Sequence, residues 1–115
     1  MRKWQISIAA ALTVAIMLVS AAAWAFPPFL KVFTSTYKVK SDSALGKASC
    51  ATCHTAKDKT DKLNPYGQSL QKAMQGGKVT KASLVKVEKL DSDKDKVSNI
   101  KEIKAGTLPG NAKSK

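Results

Sequence analysis

The chain has few of the residues from which disulfide frameworks and metal clusters are built. Its 115 residues include two cysteines, Cys50 and Cys53, one histidine, His54, and only 6% aromatic residues. Two cysteines exclude a framework of several disulfides, and a single histidine excludes a histidine-rich metal cluster. The length excludes a multidomain enzyme. About 90 residues follow residue 25, and a domain of that size is only marginally stable unaided. We therefore expect a metal or cofactor to stabilise the core.

The first 25 residues have the pattern of an export signal. Arg2 and Lys3 form a positive start, residues 6–19 carry no charge, and Ala23-Trp24-Ala25 fits the small-residue cleavage pattern. The rival interpretation is an uncleaved membrane anchor, because residues 6–25 are numerous enough to span a bilayer. Both interpretations place the rest of the chain outside the cytoplasm, in the periplasm or at the outer face of a membrane.

The remaining chain is predicted to be a small all-α domain. Residues 26–40 show no helical period, so we expect this segment to lie extended across the domain. Residues 41–110 form the predicted domain proper, and residues 111–115 a flexible tail. Cap residues and apolar periodicity predict four helices, which cover residues 41–56, 65–75, 81–90 and 98–105. No segment has the alternation of a strand pair.

The pentapeptide Cys50-Ala51-Thr52-Cys53-His54 indicates the chemistry of the chain. CxxCH is the attachment signature of c-type haem. Residues three apart on a helical turn face the same way, so both thiols can reach the two vinyl groups of one haem. The imidazole of His54 is then the proximal iron ligand.

Two other sites use a CxxC spacing. A disulfide or a thioredoxin-like redox pair is compatible with an exported chain, but that pair normally follows a strand in a βαβ unit, which this sequence does not predict. A zinc site needs four ligands, and the chain has no second Cys/His pair. Haem attachment is therefore the favoured interpretation.

With these motifs the chain resembles the small exported monohaem c-type cytochromes. The resemblance rests on the CxxCH segment, on Asn64-Pro65-Tyr66-Gly67 and on an acidic segment between Asp91 and Gly110. It implies a helical domain that surrounds one haem, with a helix–loop–helix at the C-terminus. It also implies an electron carrier rather than an enzyme. Tyr66 and Leu70 lie on one stripe of the second helix and are expected to pack on the haem.

The sixth iron ligand stays open between two interpretations. Electron carriers commonly use methionine opposite histidine, and Met74 is the only methionine after residue 25. It follows His54 more closely than in the usual cytochrome c pattern, so Met74 is equally well explained as a core residue. If Met74 is not bound, the alternative function is an open-site haem protein, either a ligand sensor or a weak peroxidase.

The segment from Asp91 to Glu102 matches an EF-hand calcium loop. The ligand positions fall on Asp91, Asp93, Asp95, the Val97 carbonyl, Asn99 and Glu102. Lys96 departs from the pattern, because it occupies the position where glycine makes the sharp turn. Its charge and that of Lys94 also oppose a cation. The competing interpretation is a solvated acidic turn in which a lysine ammonium takes the place of calcium.

The chain has a strong excess of positive charge. The formal net charge is +12, and lysine accounts for every basic residue after residue 25. Such a field speeds encounter with anionic partners. Nucleic acid is disfavoured, since arginine clusters and stacking platforms are absent from the sequence. The expected partners are redox proteins with acidic surfaces, or an anionic membrane surface. The sequence does not predict an oligomeric state.

Overall fold

The computed structural model describes residues 28–115. In this range the chain forms five α-helices, one 3-10 helix and a two-stranded sheet. In chain order they are α1 (Pro28–Tyr37), α2 (Ala44–Ala48), the 3-10 helix (Ser49–Thr52), β1 (His54–Ala56), β2 (Lys59–Leu63), α3 (Pro65–Ala73), α4 (Lys81–Val87) and α5 (Asn99–Ala105). None of these helices is both long and apolar enough to cross a bilayer. The predicted signal or anchor, residues 1–25, lies outside the described residues.

The all-α prediction is wrong, because a β-hairpin follows the cysteine pair. Strands β1 and β2 are antiparallel, with His54 opposite Leu63 and Ala56 opposite Lys59. Residues 59–62 are all exposed, so β2 has no apolar face. Hydrophobic alternation arises only where one face of a strand is buried, and it is absent here for that reason. The described fold is therefore mixed α/β, with one small sheet among the helices.

The N-terminal segment is also corrected, because most of the predicted extended stretch 26–40 is helix α1. Pro28 begins the helix at the position where its missing N–H costs nothing. Phe33 and Tyr37 lie one turn apart, and their ring centroids are separated by 5.3 Å in an edge-to-face arrangement. Phe33 also packs edge-on against Tyr66 at 6.1 Å. The spacing of the two aromatics was the helical signal that the prediction overlooked.

In place of the predicted helix at 41–56, the chain forms helix α2, the 3-10 helix and strand β1. The Ser43 hydroxyl caps α2 by accepting the Gly46 N–H at 3.0 Å, as one of the predicted cap positions requires. Ser49 then takes a left-handed backbone conformation with φ of 52°, which ends α2. Cys50 therefore lies on the 3-10 helix and His54 on β1, rather than on one continuous α-helix.

All five helices contribute residues to the core. The predicted caps of α3 and α4 are confirmed: Asn64 caps α3, and Thr80 forms a capping box with Ser83 at the start of α4. Gly106 ends α5 with φ of 77°. The buried apolar cluster consists of Phe33, Leu45, Tyr66, Leu70, Val79, Leu84, Val87 and Ile103. A core of this size gives the domain only marginal stability, so a further stabilising group is expected.

Candidate functional site

An apolar cavity of about 480 Å³ lies beside the cysteine pair. Its volume is within the range of about 300–1,000 Å³ that is usual for small-molecule and cofactor pockets. Three parts of the chain form its walls. The residues that matter for its chemistry are Cys50, Cys53 and His54 on one side, Leu70 and Met74 from α3, and Leu30 and Phe33 from α1. All three chemically active residues of the CxxCH motif thus face one apolar space.

The two thiols are free, and that of Cys53 is held as a neutral group. Neither cysteine forms a disulfide. Burial, and to a lesser degree the neighbouring Cys50, raises the pKa of Cys53 to about 12. A redox-active or zinc-binding cysteine needs a lowered pKa, because the thiolate is the reactive species. The described chain also contains no parallel βαβ unit, since its only sheet is the β1–β2 hairpin. The lack of a βαβ unit in the described residues disfavours the thioredoxin-like interpretation.

His54 lines the cavity, and one of its ring nitrogens has no hydrogen-bond partner. The residue begins β1 and is half-buried, and its Nδ1 atom is buried without a hydrogen-bond partner. Neutral imidazole always leaves one nitrogen as an acceptor, and that lone pair is what a metal ion uses. The residue therefore suits a ligand role at this wall.

Asn64 holds the cysteine turn against the start of α3. Its amide nitrogen lies 3.1 Å from the carbonyl oxygen of Ala51, 3.0 Å from that of Thr52 and 3.2 Å from that of His54. Its side-chain oxygen accepts the Gly67 N–H at 2.8 Å and so caps the helix. Asn64 therefore ties three backbone carbonyls of the cysteine turn to the start of α3.

Gly67 lets α3 approach the cysteine turn closely. A Cβ atom at this position would collide with the backbone carbonyl oxygen of Cys53. That same carbonyl accepts the Asn64 N–H at 2.9 Å. The Asn-Pro-Tyr-Gly motif thus joins a cap, a helix start, a buried aromatic and a contact with the cysteine turn. The sequence alone did not predict this contact.

The other predicted haem-site residues divide between the cavity and the core. Met74 is half-buried and is the C-cap residue directly after α3. It lines the same cavity as His54. Leu70 also lines the cavity. Tyr66 is fully buried in the core against Phe33 and is not among the cavity-lining residues. Burial raises the pKa of the Tyr66 hydroxyl well above its usual value.

Sequence reasoning missed the contribution of α1 to the cavity. Leu30, Phe33 and the 45% exposed Phe29 line it, although the segment was predicted to be extended. The available signal was the spacing of Phe29, Phe33 and Tyr37, which recurs every fourth residue and places them along one side of a helix.

The predicted acidic loop brings three of its carboxylates together. Asp91, Asp93 and Asp95 each offer an oxygen, and these atoms all lie within 4.8 Å of one another. The loop curls around Asp91, whose two oxygens accept the backbone N–H groups of Asp95 at 3.1 Å and Lys96 at 2.7 Å. Lys94 and Lys96 have φ of 60° and 73°, so both adopt the left-handed conformation. Lys96 therefore makes the sharp turn usually reserved for glycine.

Glu102 reaches the same loop from α5. Its side chain is only 3% exposed, and both of its carboxylate oxygens are buried without a hydrogen-bond partner. Burial, followed by the charges of Asp93, Asp95 and Asp91, raises the pKa of Glu102 to about 8. Burial and the neighbouring Asp95 likewise raise the pKa of Asp93 to about 6. The backbone N–H of Val97 lowers the pKa of Asp95.

The side chain of Asn99 is already used in hydrogen bonds within the fold. It is fully buried, and its amide nitrogen donates to the Val87 carbonyl at 2.9 Å and to the Ser92 hydroxyl at 2.8 Å. Its side-chain oxygen accepts the Ser92 N–H at 3.3 Å. These bonds connect the end of α4 to the start of the loop, so Asn99 is removed from the predicted set of calcium ligands.

Comparison of the chain with protein-family models, curated proteins and solved structures finds no match.

Proposed function

We propose that the chain holds one covalently attached haem c in the apolar cavity and carries one electron between redox proteins outside the cytoplasm. The observation that carries the proposal is that Cys50, Cys53 and His54 line one apolar cavity of about 480 Å³. A flat, mostly apolar cofactor needs such walls, with a few polar groups that fix its orientation.

Each residue of the motif has a separate role in the proposal. The thiols of Cys50 and Cys53 add across the two vinyl groups, so that sulfur bonds to one vinyl carbon and the thiol hydrogen is transferred to the other. This addition consumes no oxidant or reductant. The imidazole of His54 would ligate the iron, and Met74, which lines the same cavity, would be the second protein ligand. The bound haem supplies a one-electron couple whose potential depends on its axial ligands and burial.

The remaining wall residues keep water away from the cofactor. Leu70 and Phe33 are buried core residues that also line the cavity, so they join it directly to the hydrophobic core. Filling this space stabilises the folded chain, because folding then removes the apolar surface of the cavity walls and of the attached haem from water. The proposed haem would be the internal stabilising group that we expect of so small a domain.

The proposed partners are redox proteins with acidic surfaces. Without Arg2 and Lys3 of the predicted signal the formal charge is 18 − 8 = +10, which produces a field that accelerates association with such partners and is screened by salt. We therefore expect electron exchange with an acidic partner to slow as ionic strength rises. A rate independent of salt would contradict the proposed partner chemistry without affecting haem attachment.

The test is an absorption spectrum of the full chain, produced in a bacterium that attaches haem c outside its cytoplasm. We expect a haem spectrum that survives denaturation, since thioethers do not dissociate. The double variant Cys50→Ala, Cys53→Ala should retain no haem after denaturation. Thr55→Ala changes an exposed residue beside the motif and is the matched control, which should keep the haem. A denatured wild-type chain without haem would overturn the proposal.

A further inference from the structure

The acidic loop between α4 and α5 is a feature that electron transfer does not use. Three carboxylates, those of Asp91, Asp93 and Asp95, converge there with oxygens within 4.8 Å of one another. Clusters of exposed acidic residues occur without any ion, so the convergence alone is not sufficient. A second observation comes from α5.

Glu102 is buried against this cluster, and no basic side chain among residues 28–115 donates a hydrogen bond to it. Its carboxylate is 97% removed from solvent, since only 3% of the residue is exposed. Neither of its oxygens accepts a hydrogen bond, and the Oδ2 atom of Asp93 is likewise buried without a partner. Burying an ionised carboxylate without a counter-charge is strongly unfavourable. The carboxyl is therefore neutral when no ion is bound, and its two unpartnered oxygens are available to a cation that displaces the proton.

Lysine does not take this place. An ammonium group bound to Glu102 would donate a hydrogen bond to at least one of its oxygens, and both are without partners. The two lysines within the loop, Lys94 and Lys96, are exposed. The competing interpretation of the sequence, in which a lysine ammonium substitutes for calcium, is therefore disfavoured at the Glu102 carboxylate.

We propose that the loop binds one calcium ion through the carboxylates of Asp91, Asp93, Asp95 and Glu102. The proposal does not rest on the proposed haem function, because no ligand of this loop lines the cavity. Glu102, with both oxygens free, supplies the bidentate carboxylate that closes a calcium loop.

The chemistry of the donors favours calcium among the common metal ions. All four proposed side chains offer hard oxygen atoms, and the chain's only histidine and two cysteines lie at the cavity. Calcium accepts six to eight oxygens in irregular geometry, whereas magnesium demands a near-ideal octahedron and keeps its water molecules. A site with four carboxylates thus suits calcium better.

Lys96 weakens the proposed site without removing it. Its φ of 73° places a side chain in the left-handed region, where a Cβ atom is unfavourable. Its charge also repels a cation. Replacement by glycine should remove both effects, so Lys96→Gly should bind calcium about tenfold more tightly.

The test is a calorimetric titration of calcium chloride into the purified full chain. We expect one ion per chain and magnesium binding at least tenfold weaker. Glu102→Gln should weaken calcium binding at least tenfold. Asp58→Asn removes the same charge from an exposed residue of the hairpin turn and should change affinity less than twofold. If Glu102→Gln does not fold, Asp91→Asn tests the site at an exposed ligand, with the same expected loss.

Three outcomes would overturn the proposal. The first is an absence of heat from the unmodified chain, even if Lys96→Gly binds, since the natural loop would then have no ion. The second is an equal loss of affinity in Glu102→Gln and Asp58→Asn, which would indicate binding to overall charge. The third is magnesium binding as tight as calcium binding, which would reject calcium as the ion.

Discussion

The side-chain amide of Asn64 lies 3.2 Å from the backbone carbonyl oxygen of His54 and donates toward it. The same nitrogen is within 3.1 Å of the carbonyls of Ala51 and Thr52. One buried asparagine therefore fixes the backbone on which both thiols and the imidazole are carried. It also caps α3, the helix that supplies the opposite wall of the cavity.

We expect Asn64→Ala to be among the most destabilising single substitutions outside the apolar core. Loss of the cap costs about 1 kcal/mol, and the buried carbonyls left without a donor add about 1–3 kcal/mol. Denaturant unfolding measures the loss. Asn111→Ala, at an exposed site in the C-terminal tail, is the control and should change stability by less than about 0.5 kcal/mol.

Asn64→Asp separates the two roles of this residue. Aspartate keeps the oxygen that accepts the Gly67 N–H, but it replaces the donor by a negative charge beside three carbonyls. We expect it to destabilise at least as much as Asn64→Ala. Stability near that of the unmodified chain would mean that the cap alone matters and that the contacts to the cysteine turn contribute little.

Gly67→Ala tests the close approach of α3 to the cysteine turn. In an ordinary helix interior this change stabilises by about 1 kcal/mol, because alanine favours helix. Here the new methyl group would collide with the Cys53 carbonyl, and such overpacking typically costs about 1–3 kcal/mol. A lower free energy of unfolding would therefore support the close approach, and a higher one would contradict it. Gln68→Ala, at the exposed neighbouring position, is the control and should be close to neutral.

The features that the sequence predicted are those encoded by neighbouring residues. The caps at Asn64 and Thr80 were predictable because capping depends on residues three positions apart. The turn at Lys96 was predicted as strained, and its backbone is left-handed. In each case the deciding interaction lies within about one helical turn of the residue.

The features that escaped prediction depend on distant parts of the chain. Strand β2 is exposed on both faces and gives no periodic signal, so its pairing with β1 could not be read from hydrophobicity. In the sequence, Asn99 fits the role of a calcium ligand as well as that of a structural residue. Only its hydrogen bond to the Val87 carbonyl distinguishes the two roles. The unpartnered carboxylate of Glu102 depends on how α5 packs against the loop, which no local pattern specifies.

Met74→Ala distinguishes an iron ligand from a core residue. If Met74 binds the iron, the substitution should leave the haem attached, shift the ferric spectrum toward high spin and lower the potential. It should also let carbon monoxide bind readily. Leu70→Ala removes a side chain of similar size from the same cavity and should reduce stability by about 2–5 kcal/mol without those spectral changes. Identical spectra for both variants would assign Met74 to the core and favour an open iron site.

Calcium should stabilise the protein against heat. An ion that binds only the folded loop adds about 2.7 kcal/mol when its concentration is 100 times the Kd. For a domain of this size each kcal/mol raises Tm by about 4–8 °C, so the expected rise exceeds about 10 °C. Scanning calorimetry with calcium and then with a chelator measures it. A Tm that does not respond to calcium would contradict binding to the folded loop.

Glu102→Gln should have opposite effects with and without calcium. In the presence of a chelator the unmodified chain buries the Glu102 carboxyl without a partner, so at neutral pH folding must protonate it, and this destabilises the fold. Glutamine has nearly the same shape without the charge, so the variant should melt at a higher temperature than the unmodified chain. In saturating calcium the order should reverse, because the variant has lost a ligand. A variant that melts lower under both conditions would show that the Glu102 carboxylate stabilises the fold without any ion.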